Sequence, residues 1–416
     1  MSKTLAEKLL SARSGQDVRA GDIVLVTPEA IMAHDARLGQ LMDVFDQFGA
    51  ARRFEGELVL VIDHYSPPAT PEHEELHRRI RAFASRLGAT LYDVGEGICH
   101  NLMTDRGHVR PGRVVVGTDS HATTYGALNC FGASVESSDV VALLATNKLW
   151  LRVPETIRVE LKGTPTPGVS AKDITLWLIR TIGEDGAAYR AFEFCGEGWE
   201  RMGMDGRFTL SNHCAEMGAK AALHAFDATT RAWLAQRGIE DYSSVMPDPD
   251  ATYAETIVCD LRKLQPQVAV PDKIDQVTPV EDVSDTRIDV AFIGSCTNAR
   301  LEDLRAAVET IAGRRIAQGT RLLVNPGSSE VYQAALKEGI VSALVEAGAT
   351  VLAPGCGSCV GMNRQYVPED GDVIVSTANR NFRGRLGNKN SHVYIASPAT
   401  VAASAVAGRL VPGGAR

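Results

Sequence analysis

The chain has few cysteines for its length, no excess of positive charge, and no apolar run clean enough to cross a bilayer. Eight cysteines in 416 residues are too few for a disulfide scaffold, so reduced thiols in a cytoplasm are expected. A net charge of −8 weighs against binding to nucleic acid or to an acidic membrane surface. The most apolar stretch, Val393–Leu410, is interrupted by Ser397-Pro398 and rich in Ala and Ser, so it reads as a packed helix rather than a membrane span. The N-terminus lacks the apolar core of a signal peptide, and Glu7 and a shortage of basic residues count against a transit peptide. Leu5, Leu9 and Leu10 instead mark one face of a short helix. Short-period repeats and low-complexity segments are also missing.

The chain is long enough for two or three packed domains of ordinary globular composition. Strand-like and helix-like runs alternate early: Gly56–Ile62, Pro71–Leu87, Arg113–Gly117 and Ser138–Leu149. This rhythm predicts a mainly parallel sheet with helices on both faces. Arg152-Val153-Pro154 ends the first block, and Thr156–Leu161 opens a second with helices expected over Ala171–Thr181 and Ser211–Ala225. Leu264–Arg287 reads as a linker, after which the βα rhythm resumes. The pattern divides the chain into residues 1–152, 153–285 and 286–416.

Polar residues follow the carboxyl ends of the expected strands. Leu58–Ile62 runs into Asp63-His64, Val114–Gly117 into Thr118-Asp119-Ser120-His121, and Val373–Val375 toward Asn379-Arg380-Asn381. Open α/β sheets bind ligands outside those ends, so these residues are expected to share a cleft. Two further strand ends carry cysteine: Asp289–Ile293 leads to Cys296, and Thr350–Ala353 leads to Cys356-Gly357-Ser358-Cys359. Taken alone, the CxxC suits a redox pair or half of a zinc site, but a second CxxC or a spaced His pair is absent. Cys296 turns the pattern toward three thiolates at one point with a fourth position open, as an iron–sulfur cluster with one substrate-binding iron requires. Cys99, Cys130, Cys195, Cys214 and Cys259 lack spaced partners and read as buried packing.

Asp63-His64, Glu96–His100 and Asp119-Ser120-His121 form a second constellation. A histidine oriented and kept charged by a carboxylate can protonate a leaving hydroxyl. Which His pairs with which acid is not visible in the residue order. Arg380, Arg383 and Arg385 offer forked donors for carboxylates, with Arg383 the one that best suits a solvated loop. Glu216 follows Asn212 by four positions on an expected helix, so the two should share a face.

The segments GTDSHATTYGAL (117–128), GSCTNARLEDL (294–304), PGCGSCVGMN (354–363) and ANRNFRGRLG (378–387) closely resemble the aconitase superfamily. The ending VYIASPATVAASAVAGRL (393–410) resembles the close of that family's third domain, and the length resembles its short, large-subunit type. The resemblance implies three α/β/α domains with mainly parallel sheets around a 4Fe-4S cluster. Its ligands would be Cys296, Cys356 and Cys359, with one labile iron lacking a cysteine. It pairs Asp63 with His64 as the proton donor, Asp119 with His100, and Glu216 with His121. It assigns Ser120, Arg380 and Arg385 to substrate carboxylates, and Asn212 and Asn379 to support of the cluster.

The implied reaction is reversible dehydration of a hydroxy di- or tricarboxylate, with 3-isopropylmalate of leucine biosynthesis first and homoaconitase or 2,3-dimethylmalate chemistry as alternatives. The family's base is a serine on a swivelling fourth domain, expected here on a separate small subunit. A CxxC thiol oxidoreductase and an RNA-binding regulator are the competing classes. Two positions depart from the family pattern: Arg37 stands where a threonine is usual, and His213-Cys214 replaces smaller residues or methionine.

Overall fold

In a computed structural model that describes residues 2–49 and 51–414, two parallel sheets, one mainly parallel sheet and one two-stranded ribbon organise the chain. The first sheet has five parallel strands in the order Thr90–Tyr92, Glu57–Val61, Ala30–His34, Val114–Gly117 and Phe131–Ser134. All residues of Ala30–His34 are buried, as expected for a central strand covered on both faces. The helix Pro71–Leu87 starts where Thr70 accepts the His73 N–H and proline occupies its first turn, and it stops at Gly88 with φ 61°. The helix Leu5–Ser14 opens with a Thr4/Glu7 capping box and buries Leu5, Leu9 and Leu10.

The middle sheet is also parallel, in the order Ala221–His224, Ala191–Cys195, Thr156–Lys162, Glu255–Asp260. The last sheet has seven strands: Val277–Pro279, Gln267–Ala269, His392–Ala396, Val373–Ser376, Val290–Ile293, Arg321–Val324 and Thr350–Val351. Gln267–Ala269 pairs antiparallel with both Val277–Pro279 and His392–Ala396, and the last five strands are parallel to one another. Ile23–Val26 and Leu149–Arg152 form the separate antiparallel ribbon.

Three sequence expectations change. The stretch expected as a linker, 264–287, holds Gln267–Ala269 and Val277–Pro279, so the last sheet begins upstream of residue 286. Strands of three residues are too short to show alternation. The helix expected over 211–225 is instead the end of Met204–His213, a 3-10 turn Cys214–Met217, and the strand Ala221–His224. That helix is buried on nearly all sides and therefore lacks an amphipathic period, and four buried residues, Ala221–His224, do not distinguish strand from helix. The packed helix expected in Val393–Leu410 is Pro398–Ala407, preceded by the strand His392–Ala396. No helix among the described residues is long and apolar enough to cross a membrane.

Two sheets reverse direction beside a central strand. From Ala30–His34 the first sheet grows one way through Glu57–Val61 and the other through Val114–Gly117. From Val290–Ile293 the last sheet grows one way through Arg321–Val324 and the other through Val373–Ser376. Such reversals open a crevice at the carboxyl ends of the strands, and these two crevices meet.

Candidate active site

Asp63 emerges from Glu57–Val61 fully buried and joins the two crevices. Its Oδ1 lies 2.6 Å from His64 Nδ1, its Oδ2 accepts the Cys99 N–H at 2.8 Å, and its backbone carbonyl accepts the N–H groups of Cys356 and Gly357 at 2.8 and 3.2 Å. Gly357 permits this approach, because a Cβ there would sit 2.4 Å from the His64 carbonyl oxygen. Asp35, also fully buried, holds the next stretch by accepting the N–H groups of His64 at 3.0 Å and Tyr65 at 2.8 Å. The ring of His34 stacks on His64 with centroids 4.1 Å apart. Burial opposes a charge on His64, but Cys356 and Asp63 outweigh it and raise its pKa well above the ordinary value. Burial, reinforced by that neighbouring charge, lowers His34 to about 4, so this second imidazole stays neutral.

A continuous polar chain runs from the end of Val114–Gly117. Asp119 Oδ1 lies 2.8 Å from His100 Nε2 and 3.0 Å from His121 Nδ1. His121 Nε2 meets Glu216 at 2.7 Å, Arg380 Nε donates to the other oxygen of Glu216 at 2.7 Å, and Arg380 Nη2 donates to Ser120 Oγ at 3.0 Å. Burial would raise Glu216, but His121 and then Arg380 hold it at about 2. Burial would lower His121, but its bonds to Asp119 and Glu216 raise it. Asp119, His121 and Glu216 thus form a charged carboxylate–imidazolium arrangement screened from water.

On the other side lie the thiols. All eight cysteines are free, and Cys296, Cys356 and Cys359 are buried. Asn379 Nδ2 donates to Asn212 Oδ1 at 2.7 Å and lies 3.9 Å from Cys296 Sγ, while Ser295 and Thr297 hydroxyls donate to Asn379 Oδ1. Asn212 Nδ2 reaches back to Thr124 Oγ1 at 2.8 Å. Arg385 Nη2 lies 3.7 Å from Cys359 Sγ, and its buried Nε has no partner among the described residues. Burial pushes the Cys356 thiol up to about 11 although His64 pulls the other way.

Both sets line one cleft of about 380 Å³. Among the residues singled out from sequence, His64, His100, Asp119, Ser120, His121, Cys296, Cys356, Cys359, Asn379, Arg380 and Arg385 line its wall. Asp63, Glu216 and Asn212 stand behind them as hydrogen-bond partners. Asn212 ends a helix and Glu216 sits in the following 3-10 turn, so they serve different neighbours rather than sharing a helix face. Glu96 faces elsewhere, accepting the Asp93 N–H, and Arg383 is exposed beside Asp272.

The cleft also takes in His34 and Glu136, which the residue order does not single out, and Cys99, which reads as packing. Their position at a strand end and beside His100 was the available signal. Arg37 lines the cleft as well. His213, by contrast, is fully buried, with Thr175 Oγ1 at 2.8 Å and the Asn379 carbonyl at 3.3 Å. The donor atoms of His100, His121 and Cys296 lie within 4.8 Å of one another, close enough to share an ion.

Comparison with known proteins agrees over nearly the whole chain. Residues 7–408 match the Aconitase family (aconitate hydratase). The 3-isopropylmalate dehydratase large subunit 1 of Methanopyrus kandleri is 44% identical over 412 residues, covering 99% of this chain and 98% of that one. The homoaconitase large subunit of Thermus thermophilus is 43% identical over 411 residues, with 99% and 97% covered. The crystal structure of Thermococcus kodakaraensis aconitase X superposes with a TM-score of 0.53 at 14% identity, covering 94% of this chain and 97% of that one, a likeness of fold alone. By the extent of these matches, the chain belongs to the aconitase family.

Proposed function

We propose that this chain is the large, cluster-bearing subunit of a hydro-lyase that reversibly dehydrates a hydroxy di- or tricarboxylate, with 3-isopropylmalate as the leading substrate. The observation that carries this reading is the convergence in one cleft of three buried free thiols and three carboxylate-paired imidazoles. The donor set fits a 4Fe-4S cluster held by Cys296, Cys356 and Cys359. None of the three is in a disulfide, and nitrogen donors of Asn379 and Arg385 face two of the sulfurs. When bound, such a cluster supplies a Lewis-acidic iron with no cysteine ligand.

The rest is the work of side chains. His64, kept charged beside Asp63, protonates the departing hydroxyl. Arg385, whose buried Nε is unpartnered, and Arg380 with Ser120 bind the substrate carboxylates. Asp119 and Glu216 orient His100 and His121. A separate small subunit, with a swivelling domain and a serine base, removes the carbon-bound proton. In support, the named relatives are large subunits, and Met362 and Phe382 are exposed beside the cleft or its arginines. A CxxC oxidoreductase is disfavoured because Cys356 and Cys359 share the cleft with a third buried thiol, Cys296, that a two-thiol mechanism does not use.

Arg37 favours a second reading, a tricarboxylate of the homoaconitase kind. It lies exposed in the first turn of Asp35–Phe48, lines the cleft, and makes no hydrogen bond or ion pair with a described residue. A helix N-terminus disfavours a cation, so this charge is available to a third carboxylate.

The test is anaerobic reconstitution followed by iron analysis, then assay with a co-expressed small subunit on isopropylmaleate, cis-homoaconitate and dimethylmaleate. Roughly four irons per chain and a visible band are expected. A colourless protein would overturn the proposal. Arg37→Thr should cost about fivefold in kcat/KM for cis-homoaconitate relative to isopropylmaleate, the worth of an exposed ion pair near ~1 kcal/mol.

A further inference from the structure

Lys172 is the second residue of the helix Ala171–Ile182, and its side chain is among the largest that are fully buried. Its Nζ has one hydrogen-bond partner, the carbonyl oxygen of Ala378 at 3.1 Å, and it forms no ion pair among the described residues. An ammonium carries three donors, so two remain unused. Burial and the helix N-terminus oppose its charge, and although Asp303 and Glu216 favour it from a distance, no carboxylate among the described residues pairs with it.

The acids nearby are committed elsewhere. Asp173 accepts from Ser170 and from the Gln267 N–H, Glu216 serves His121 and Arg380, and Asp303 accepts from Asn298 and the Arg300 N–H. None of these carboxylates forms an ion pair with the ammonium, which leaves it without a direct counter-charge among the described residues. The groups whose charge acts most strongly on Lys172 are the sulfurs of Cys296 and Cys359. Its one bond also leads there, since Ala378 directly precedes Asn379, whose Nδ2 lies 3.9 Å from Cys296 Sγ. Burial pulls the ammonium down to about 8, and the same two sulfurs push it back up.

We propose that Lys172 is the counter-charge of the cluster site, a positioning residue whose ammonium offsets the net negative charge of a three-thiolate 4Fe-4S centre and makes that centre easier to reduce. The inference rests on the reading that Cys296, Cys356 and Cys359 hold such a cluster. The charge around a cluster and the donors facing its sulfurs set its potential. Lys172 supplies the charge directly, with two free N–H donors besides.

The experiment is an anaerobic redox titration of the reconstituted protein, followed by electron paramagnetic resonance, on wild type, Lys172→Met, Lys172→Gln and Lys172→Arg, with iron analysis and melting temperature alongside. The neutral variants should make one-electron reduction at least about tenfold less favourable, a midpoint about 59 mV more negative. They should also lose iron faster, whereas Lys172→Arg should stay near wild type. Using two neutral variants guards against one failing to fold. Neutral variants that fold, hold their irons and keep the wild-type midpoint would overturn the inference. A wild-type protein that takes up no cluster would bring down the cluster reading itself.

Discussion

The five-stranded sheet around Ala30–His34 and the seven-stranded sheet around Val290–Ile293 both reverse direction beside a central strand, yet they send opposite chemistry into the shared cleft. The first contributes imidazoles locked by carboxylates: Asp63 on His64, and Asp119 on His100 and His121. The last contributes thiols faced by the amide of Asn379 and the guanidinium of Arg385. In the proposed reading, one wall moves protons and the other holds the negative charge of a cluster. The middle sheet enters through its surrounding helices and turns rather than its strand ends, with Asn212, Glu216 and Lys172 bracing the other two. The same βα architecture thus yields different walls because the residues just beyond each strand differ, while the packed middle unit sets how the walls face each other.

That contrast can be broken from either side. The largest effect is expected from Cys359→Ser, which should strip the proposed cluster and reduce hydration activity to background. Iron content together with the alkene assay checks it, and a variant that retains activity would refute the three-thiolate reading. Next comes His64→Asn, which should lower kcat by about 10²–10⁴-fold, the usual worth of a positioned acid, while leaving iron content unchanged. Equal loss of iron would mean that the two walls are not separable. Arg385→Gln should reduce kcat/KM by roughly 10- to 100-fold, mainly through KM, since it removes a charge-assisted bond of about 1.5–3 kcal/mol.

The smallest effect lies at the opposite end of the strand that leads to His64. Glu57 pairs with His108 at 2.6 Å and Arg113 at 2.8 Å, and although burial opposes its charge these partners hold it at about 2. Its folded pKa is depressed, so the stability it contributes is present above the unfolded value near 4.5 and is lost as pH falls toward 2. The side chain is 39% exposed, so Glu57→Gln should cost only about 0.5–1 kcal/mol at neutral pH. Melting curves of the variant and wild type should converge near the acid limit, with kcat unaltered. A fall in kcat would show that the two ends of this strand are coupled.

Much of the cleft was legible because its signals are local. Asp63-His64, Thr118–His121 and Cys356–Cys359 each follow a short apolar run, and that juxtaposition needs only a few residues to be seen. His34 and Cys99 were harder to assign, since a histidine after a buried strand and a cysteine beside His100 carry no spacing of their own. The segment 264–287 reads as a linker because its strands are only three residues long, too short to establish an alternation. The helix Met204–His213 was misplaced because burial on nearly every side removes its amphipathic pattern.

By itself the sequence determined the alternating βα plan, the three cysteines worth grouping, and the polar residues beyond each strand, because these depend on neighbours along the chain. Family resemblance then supplied pairings that residue types left open. Only the tertiary structure decided that Arg380 meets Glu216 across 164 positions and Ser120 across 260, and that Lys172 meets the Ala378 carbonyl across 206. Those contacts have no period in the sequence. They arise when three sheets pack around one cleft, and the low dielectric there gives each pair its strength.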